Sequence, residues 1–267
     1  MAEPDRSPSD RRRFLGLAGG AVLGAALGAC TDAGGGSAGR ANGSDGAATA
    51  LTTAAPEVPT AVAALGPADF EGLGTCQVFP ESTAGPFPLD EQLDRVDITE
   101  GYAGHPLRLG LRVLDAACVP VAATAVEVWH TDATGDYSAF ADGGGGKDEA
   151  GGTTFCRGTQ ATDTDGIVEF QTVYPGWYPG RAVHIHLRVR VDGNVALVGQ
   201  LYFDDDYSAD VFGSGIYADL GPPGTTNEAD GIAGDPAAEG SLLTTSPAPT
   251  SLGSGTLGLC NIGLPST

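Results

Sequence analysis

His184 and His186 stand two positions apart in the run Val183-His184-Ile185-His186-Leu187. In an extended chain that spacing sends both imidazoles off one face, and two neutral ring nitrogens side by side are half of a transition-metal site. Taken alone, the pair also reads as two surface histidines flanked by Arg188 and Arg190. Immediately upstream, Tyr174-Pro175-Gly176-Trp177-Tyr178-Pro179-Gly180-Arg181 forms a rigid turn that presents aromatic hydroxyls beside the histidines. A second loop, Trp129-His130-Thr131-Asp132-Ala133-Thr134-Gly135-Asp136-Tyr137, brings another tyrosine.

The elements that must position these side chains are strands. From Val183 to Val191 the odd positions are Val, Ile, Leu, Val and Val, while His184, His186, Arg188 and Arg190 occupy the even ones, a period of two. Leu107 to Leu114 alternates in the same way, and Ala125 to His130, Ile167 to Val173 and Leu197 to Phe203 read as further strands. Thr164-Asp165-Gly166 is a turn between strands. The chain has 42 Gly and 18 Pro in 267 residues and a single lysine, Lys147, with nothing that reads as a long amphipathic helix. The expected architecture is all-β, an antiparallel β-sandwich. Thirteen basic residues against 34 acidic ones, a formal charge of −21, argue against nucleic acid and against adsorption to an anionic membrane.

The order Trp129…Gly135-x-Tyr137, then Pro175-Gly176-x-Tyr178-x-x-Arg181-x-x-His184-Ile185-His186, then Gln200-Leu201-Tyr202-Phe203 resembles the intradiol ring-cleavage dioxygenases, and in particular their secreted single-domain branch. The resemblance spans about residues 75–220. It implies a non-haem Fe(III) ion held by Tyr137, Tyr178, His184 and His186, with Tyr137 and His184 equatorial and Tyr178 and His186 axial. Those residue types suit a ferric ion. Phenolate is a hard anionic donor that favours Fe(III), and a trivalent cation holds tyrosine ionised well below its ordinary pKa of ~10. The implied substrates are a catechol and O₂. The ring opens between its two hydroxylated carbons to a cis,cis-muconate-type product, and the departing Tyr178 takes a catechol proton. Arg181 matches an arginine that stabilises charge building on the ring, and Gln200 a glutamine near the first histidine. Ser82 to Phe87 resembles a segment that lines the substrate pocket.

Other assignments stay open at this level. Asp132 or Asp136 would complete a two-histidine, one-carboxylate site, making a zinc or copper enzyme of the same histidine pair. A non-catalytic exported β-sandwich that binds a ligand is the third reading. His105 and His130 are expected not to be ligands, and Tyr174 and Trp177 to pack.

Residues 1–29 read as an export signal of the twin-arginine, lipoprotein type: Arg11-Arg12-Arg13-Phe14-Leu15 opens a short apolar stretch ending Leu27-Gly28-Ala29-Cys30. Cys30 is then the lipid-bearing residue and the chain's attachment to a membrane, with simple cleavage and secretion as the alternative. Residues 30–66, rich in Ala, Gly, Ser and Thr, read as a flexible tether, and 67–264 as the catalytic domain. Cys76, Cys118, Cys156 and Cys260 remain, an even number in an exported chain. Strand directions place Cys118 and Cys156 at opposite ends of the sandwich, which excludes a bridge between them. Of the two pairings still open, Cys76–Cys118 with Cys156–Cys260 is favoured over Cys76–Cys156 with Cys118–Cys260. The segment Gly143 to Glu149, four glycines followed by Lys-Asp-Glu, follows Tyr137 closely and is expected at the rim of the substrate entrance.

Overall fold

A computed structural model of the chain describes residues 62–74, 76–89, 93–140 and 152–266. The export signal, Cys30, most of the tether and the glycine segment 143–149 lie outside the described residues. The strands are β1 (Pro106–Leu114), β2 (Ala125–Trp129), β3 (Arg157–Ala161), β4 (Ile167–Val173), β5 (His184–Val191), β6 (Asn194–Tyr202), β7 (Thr244–Thr250) and β8 (Gly253–Gly263). They form two four-stranded sheets, ordered β4-β1-β8-β7 and β3-β2-β5-β6. Leu107, Leu109, Leu111 and Val113 of the first sheet meet Val126, Val128, Ile185, Leu187 and Val189 of the second in one core. The alternation in β1 and β5 is therefore the inter-sheet contact itself.

Five of the six pairings are antiparallel; β1 and β8 run parallel, with Leu107 opposite Thr256 and Leu114 opposite Gly263. The antiparallel expectation is corrected there. Strand β7 carries Pro247 and Pro249, which is tolerable because it is an edge strand, and its hairpin delivers β8 alongside β1. The longest helix among the described residues is α1 (Asp205–Phe212), capped by the Asp204 carboxylate, which accepts from Tyr207 N.

Strand ends define one pole of the sandwich. Trp129 pairs with both His186 and Arg157, and Val173 pairs with Pro106, so the loops after β2 and β4 and the start of β5 all lie together. Cys76 and Cys118 are joined, with Cα atoms 5.3 Å apart. The second expected bridge is not formed: Cys156 and Cys260 are both free and buried. Cys156 packs with Val173 at the site pole, whereas Cys260 pairs with Leu111, five residues along β1 from the partner of Val173. That offset is ~17 Å of strand, well beyond the ~7 Å Cα limit for a disulfide. The expected pairing failed because β8 went unread and Cys260 had no assigned height.

Candidate metal centre

Two glycines bring the tyrosine loops together. Gly135 has φ +93°, and a side chain there would collide with the Trp177 carbonyl; one at Gly176 would lie 2.5 Å from Gly135 N. Thr131 Oγ1 donates to Gly176 O at 2.6 Å and Gly176 N donates to Asp132 O at 2.7 Å. Each glycine precedes its tyrosine by two residues, so their close approach points Tyr137 and Tyr178 at one spot. The Asp132 carboxylate accepts from the backbone N–H groups of Thr134 and Asp136 at 2.8 and 3.1 Å. It shapes the Tyr137 loop. Among the described residues no group of three or more His, Cys, Asp or Glu converges, so neither Asp132 nor Asp136 completes a carboxylate site with the histidines.

On β5, His184 and His186 are 4% and 1% exposed, and the surface reading of the pair is thereby excluded. The Ser82–Phe87 segment covers them: a side chain on Gly85 would lie 3.1 Å from His186 Cε1, and Phe87 stacks on Tyr137 with ring centroids 4.2 Å apart. Trp129 lies flat on the His186 ring at 5.0 Å, with the Arg188 guanidinium over its indole ring, 5.4 Å from the centroid.

Four donor atoms meet. His184 Nε2 is 3.2 Å from His186 Nε2 and 3.3 Å from both Tyr137 Oη and Tyr178 Oη, and His186 Nε2 is 3.1 Å from Tyr137 Oη. The Tyr137 and Tyr178 rings meet edge to face, with centroids 5.8 Å apart. His184 Nδ1 donates to Ala182 O at 2.7 Å, which leaves the Nε2 lone pair facing the cluster. Metal–ligand bonds of ~2.0–2.2 Å at angles of ~90–110° separate neighbouring donors by ~2.8–3.6 Å, so this donor set fits one metal ion.

Electrostatics agree with neutral ligands awaiting a cation. Burial, reinforced by the Arg181 charge, pushes His184 down to about 3, and burial together with His184 and Arg181 holds His186 well below the usual imidazole value. Burial and the neighbouring Tyr178 hold Tyr137 well above the ordinary phenol value. Tyr178 is raised by burial, against its hydrogen bond with Tyr137 and the Arg181 charge, which act downward.

Arg181 lies beside the cluster, with Nη1 3.4 Å from His184 Nε2 and Nη2 donating to Gln200 Oε1 at 2.5 Å. Gln200 pairs across the sheet with His186, and its Nε2 donates to Thr83 O at 2.8 Å. It therefore ties Arg181 to the covering segment. Tyr174 is a core residue bonded to Ser208, and the Trp177 indole donates to Gly221 O. His105 and His130 point elsewhere: His105 Nε2 bonds Thr256, and both nitrogens of His130 are used by Thr131 O and Thr172 Oγ1. Sequence reading missed Asp230, whose carboxylate accepts from Arg181 Nε at 2.9 Å. No motif surrounds it, and 49 residues separate the two.

A buried two-histidine, two-tyrosine cluster thus stands at one pole of the β-sandwich. The family model described as "Dioxygenase" matches residues 80–219. An intradiol ring-cleavage dioxygenase from Tetranychus urticae superposes with a TM-score of 0.64 at 32% identity, covering 71% of this chain and 95% of that one. The dioxygenase domain of a dioxygenase–carbohydrate-binding fusion from Streptomyces sp. SirexAA-E superposes with a TM-score of 0.52 at 28% identity, over 71% of this chain and 99% of that one. Chlorocatechol 1,2-dioxygenase of Rhodococcus opacus is 27% identical over 122 residues, 39% of this chain and 45% of that protein. The chain spans about half the length of the curated relatives it matches. This chain belongs to the intradiol ring-cleavage dioxygenase family.

Proposed function

We propose that the chain is a non-haem Fe(III) intradiol dioxygenase that opens catechols between their hydroxylated carbons, incorporating both atoms of O₂. The observation that carries this is the convergence of Tyr137 Oη, Tyr178 Oη, His184 Nε2 and His186 Nε2 within 3.1–3.3 Å contacts. Two phenolates and two neutral imidazoles make a ligand set of net charge −2, which selects a trivalent over a divalent ion. Bound there, Fe(III) supplies the Lewis acidity that keeps a catechol ionised and electron-rich enough to meet O₂.

The chain's own residues do the rest. Tyr178 is the more exposed of the two tyrosines and sits next to Arg181, so its phenolate is placed to take a catechol hydroxyl proton as substrate enters. The Arg181 guanidinium presents N–H groups where negative charge builds on the ring. Phe87, stacked on Tyr137 and edge-on to Phe140, with Ala84 beside it, gives an apolar wall for a flat ring and keeps water from the ligands.

Relatives named for chlorocatechol, protocatechuate and 6-chlorohydroxyquinol mark the substrate class to screen. Incubation of iron-loaded protein with catechol under ¹⁸O₂ should give cis,cis-muconate carrying two labelled oxygens. An aldehyde product, which marks cleavage outside the diol, or no oxygen uptake with any of these ring types, overturns the proposal. The twin-arginine stretch and Leu-Gly-Ala-Cys30 support action outside the cytoplasm on aromatics from the surroundings, and the Cys76–Cys118 disulfide suits an oxidising compartment. Cell fractionation of the wild type against a Cys30→Ala variant tests the lipid anchor.

A further inference from the structure

Arg181 is held from a distant segment. The Asp230 side chain is fully shielded from solvent, and that of Arg181 is 13% exposed. Asp230 Oδ2 accepts from Arg181 Nε at 2.9 Å and from Ala182 N at 2.8 Å. Its other oxygen, Oδ1, accepts from Ile232 N at 2.8 Å and Ala233 N at 3.3 Å. One oxygen therefore fastens the carboxylate to its own loop and the other fastens Arg181 to it. Burial acts to raise the carboxyl, but the N–H groups of Ala182 and Ile232 and the Arg181 charge hold it below the usual carboxylate range. With Nε occupied, the planar guanidinium has one edge left. Its Nη2 reaches Gln200 Oε1 at 2.5 Å and Tyr202 Oη at 3.3 Å, and its Nη1 approaches His184 Nε2 at 3.4 Å. A free arginine side chain samples many rotamers; one pinned at Nε by a buried, charge-assisted hydrogen bond does not.

The geometry points to Asp230 as a positioning residue for ring cleavage, holding Arg181 so that its Nη edge faces the metal centre and the ring above it. Asp230 lies beyond residues 80–219, so the family match does not assign it a role. The inference rests on the reading of Arg181 as the group that stabilises charge on the substrate.

Asp230→Asn keeps the shape but has a single, uncharged oxygen: facing Ile232 and Ala233 it turns the N–H₂ group toward Arg181, and facing Arg181 it leaves those two N–H groups without their acceptor. In iron-loaded protein it should lower kcat on catechol about tenfold or more, the scale of a charge-assisted hydrogen bond, while iron content and the visible spectrum stay near wild type. Arg181→Met should lower kcat at least as far, and the double variant should match Arg181→Met alone, because Asp230 acts through Arg181. In the metal-free full chain, the ¹⁵N-labelled Arg181 Nε–H should exchange slowly in wild type and fast in Asp230→Asn. Equal kcat losses from Asp230→Asn in the wild-type and Arg181→Met backgrounds would mean a merely structural role and overturn the inference. Wild-type turnover in Asp230→Asn alongside a slow Arg181→Met overturns it too. Wild-type turnover in Arg181→Met itself instead defeats the reading of Arg181. An Arg181 Nε–H that exchanges equally fast in both metal-free proteins overturns the clamp whatever the kinetics.

Discussion

Two buried histidine environments share one sheet end of this molecule and have opposite chemistry. His130, just past β2, is fully buried, and its two nitrogens are matched to Thr131 O at 2.6 Å and Thr172 Oγ1 at 2.9 Å. His184 and His186, on β5, are almost as buried, yet their Nε2 atoms face each other at 3.2 Å with two phenols crowded around them. Burial pushes His130 down to about 4 and His184 down to about 3, so neither depth nor acidity separates them. Direction does. In one environment the folded chain satisfies each nitrogen; in the other the lone pairs of four groups converge, and a cation is the partner that would satisfy all four.

The largest expected contrast is in metal content. His184→Ala or His186→Ala should lose iron almost completely, whereas His130→Gln should keep one iron per chain and cost roughly 1–3 kcal/mol of stability. Metal analysis beside urea melts checks both, and stoichiometric iron in either alanine variant would collapse the distinction. Next in size is Tyr178→Phe. Three protein ligands should still hold iron, with an altered visible spectrum and a kcat on catechol lower by ~10²-fold or more, since the base is gone. Full turnover with an unchanged spectrum would remove Tyr178 from the site.

Cysteines sharpen the same contrast. Cys156 sits beside His130, whose N–H donates to its carbonyl, and burial pushes its thiol up to about 12, so it belongs to the inert environment. Alkylation after unfolding without reductant should label Cys156 and Cys260 and leave Cys76 and Cys118 linked. Replacing Cys118 by Ser should cost ~4 kcal/mol on the chain-entropy account for the 42-residue separation. The smallest effect is the pH slope. Histidines held neutral in the fold protonate first in the unfolded chain, so metal-free stability should fall as pH drops from ~6.5 toward about 4 for His130 and about 3 for His184. Each contributes ~1.4 kcal/mol per pH unit inside its window and nothing above it. His130→Gln should remove one histidine's share of that slope in urea melts between pH 4.5 and 6; an unchanged slope would mean His130 is not buried neutral.

What the sequence disclosed follows from where information is local. The period-two pattern of β5 places both histidines on one face; that the loops touch at the glycines two residues ahead of Tyr137 and Tyr178 is visible only once the chain has folded. The motif named the four side chains that converge, with Arg181 and Gln200 beside them. Strands β7 and β8 escaped because Thr244–Gly263 is built of small residues, prolines and glycines with no alternation, and its pairing with β1 is set by tertiary contact. Losing β8 also lost the height of Cys260 and with it the Cys156–Cys260 half of the expected pairing, whereas Cys76–Cys118 is formed. Asp230 escaped for a related reason: its role exists only after folding brings it to Arg181.

The measurement that tests the central claim most directly is the visible absorption spectrum of the purified chain loaded with ferric iron, taken alongside its iron content. Convergence of Tyr137, Tyr178, His184 and His186 on one ion predicts one iron per chain and a burgundy solution from tyrosinate-to-iron charge transfer, with the band weakened in both Tyr137→Phe and Tyr178→Phe. A colourless protein holding stoichiometric ferric iron, or a band that neither substitution moves, would contradict it.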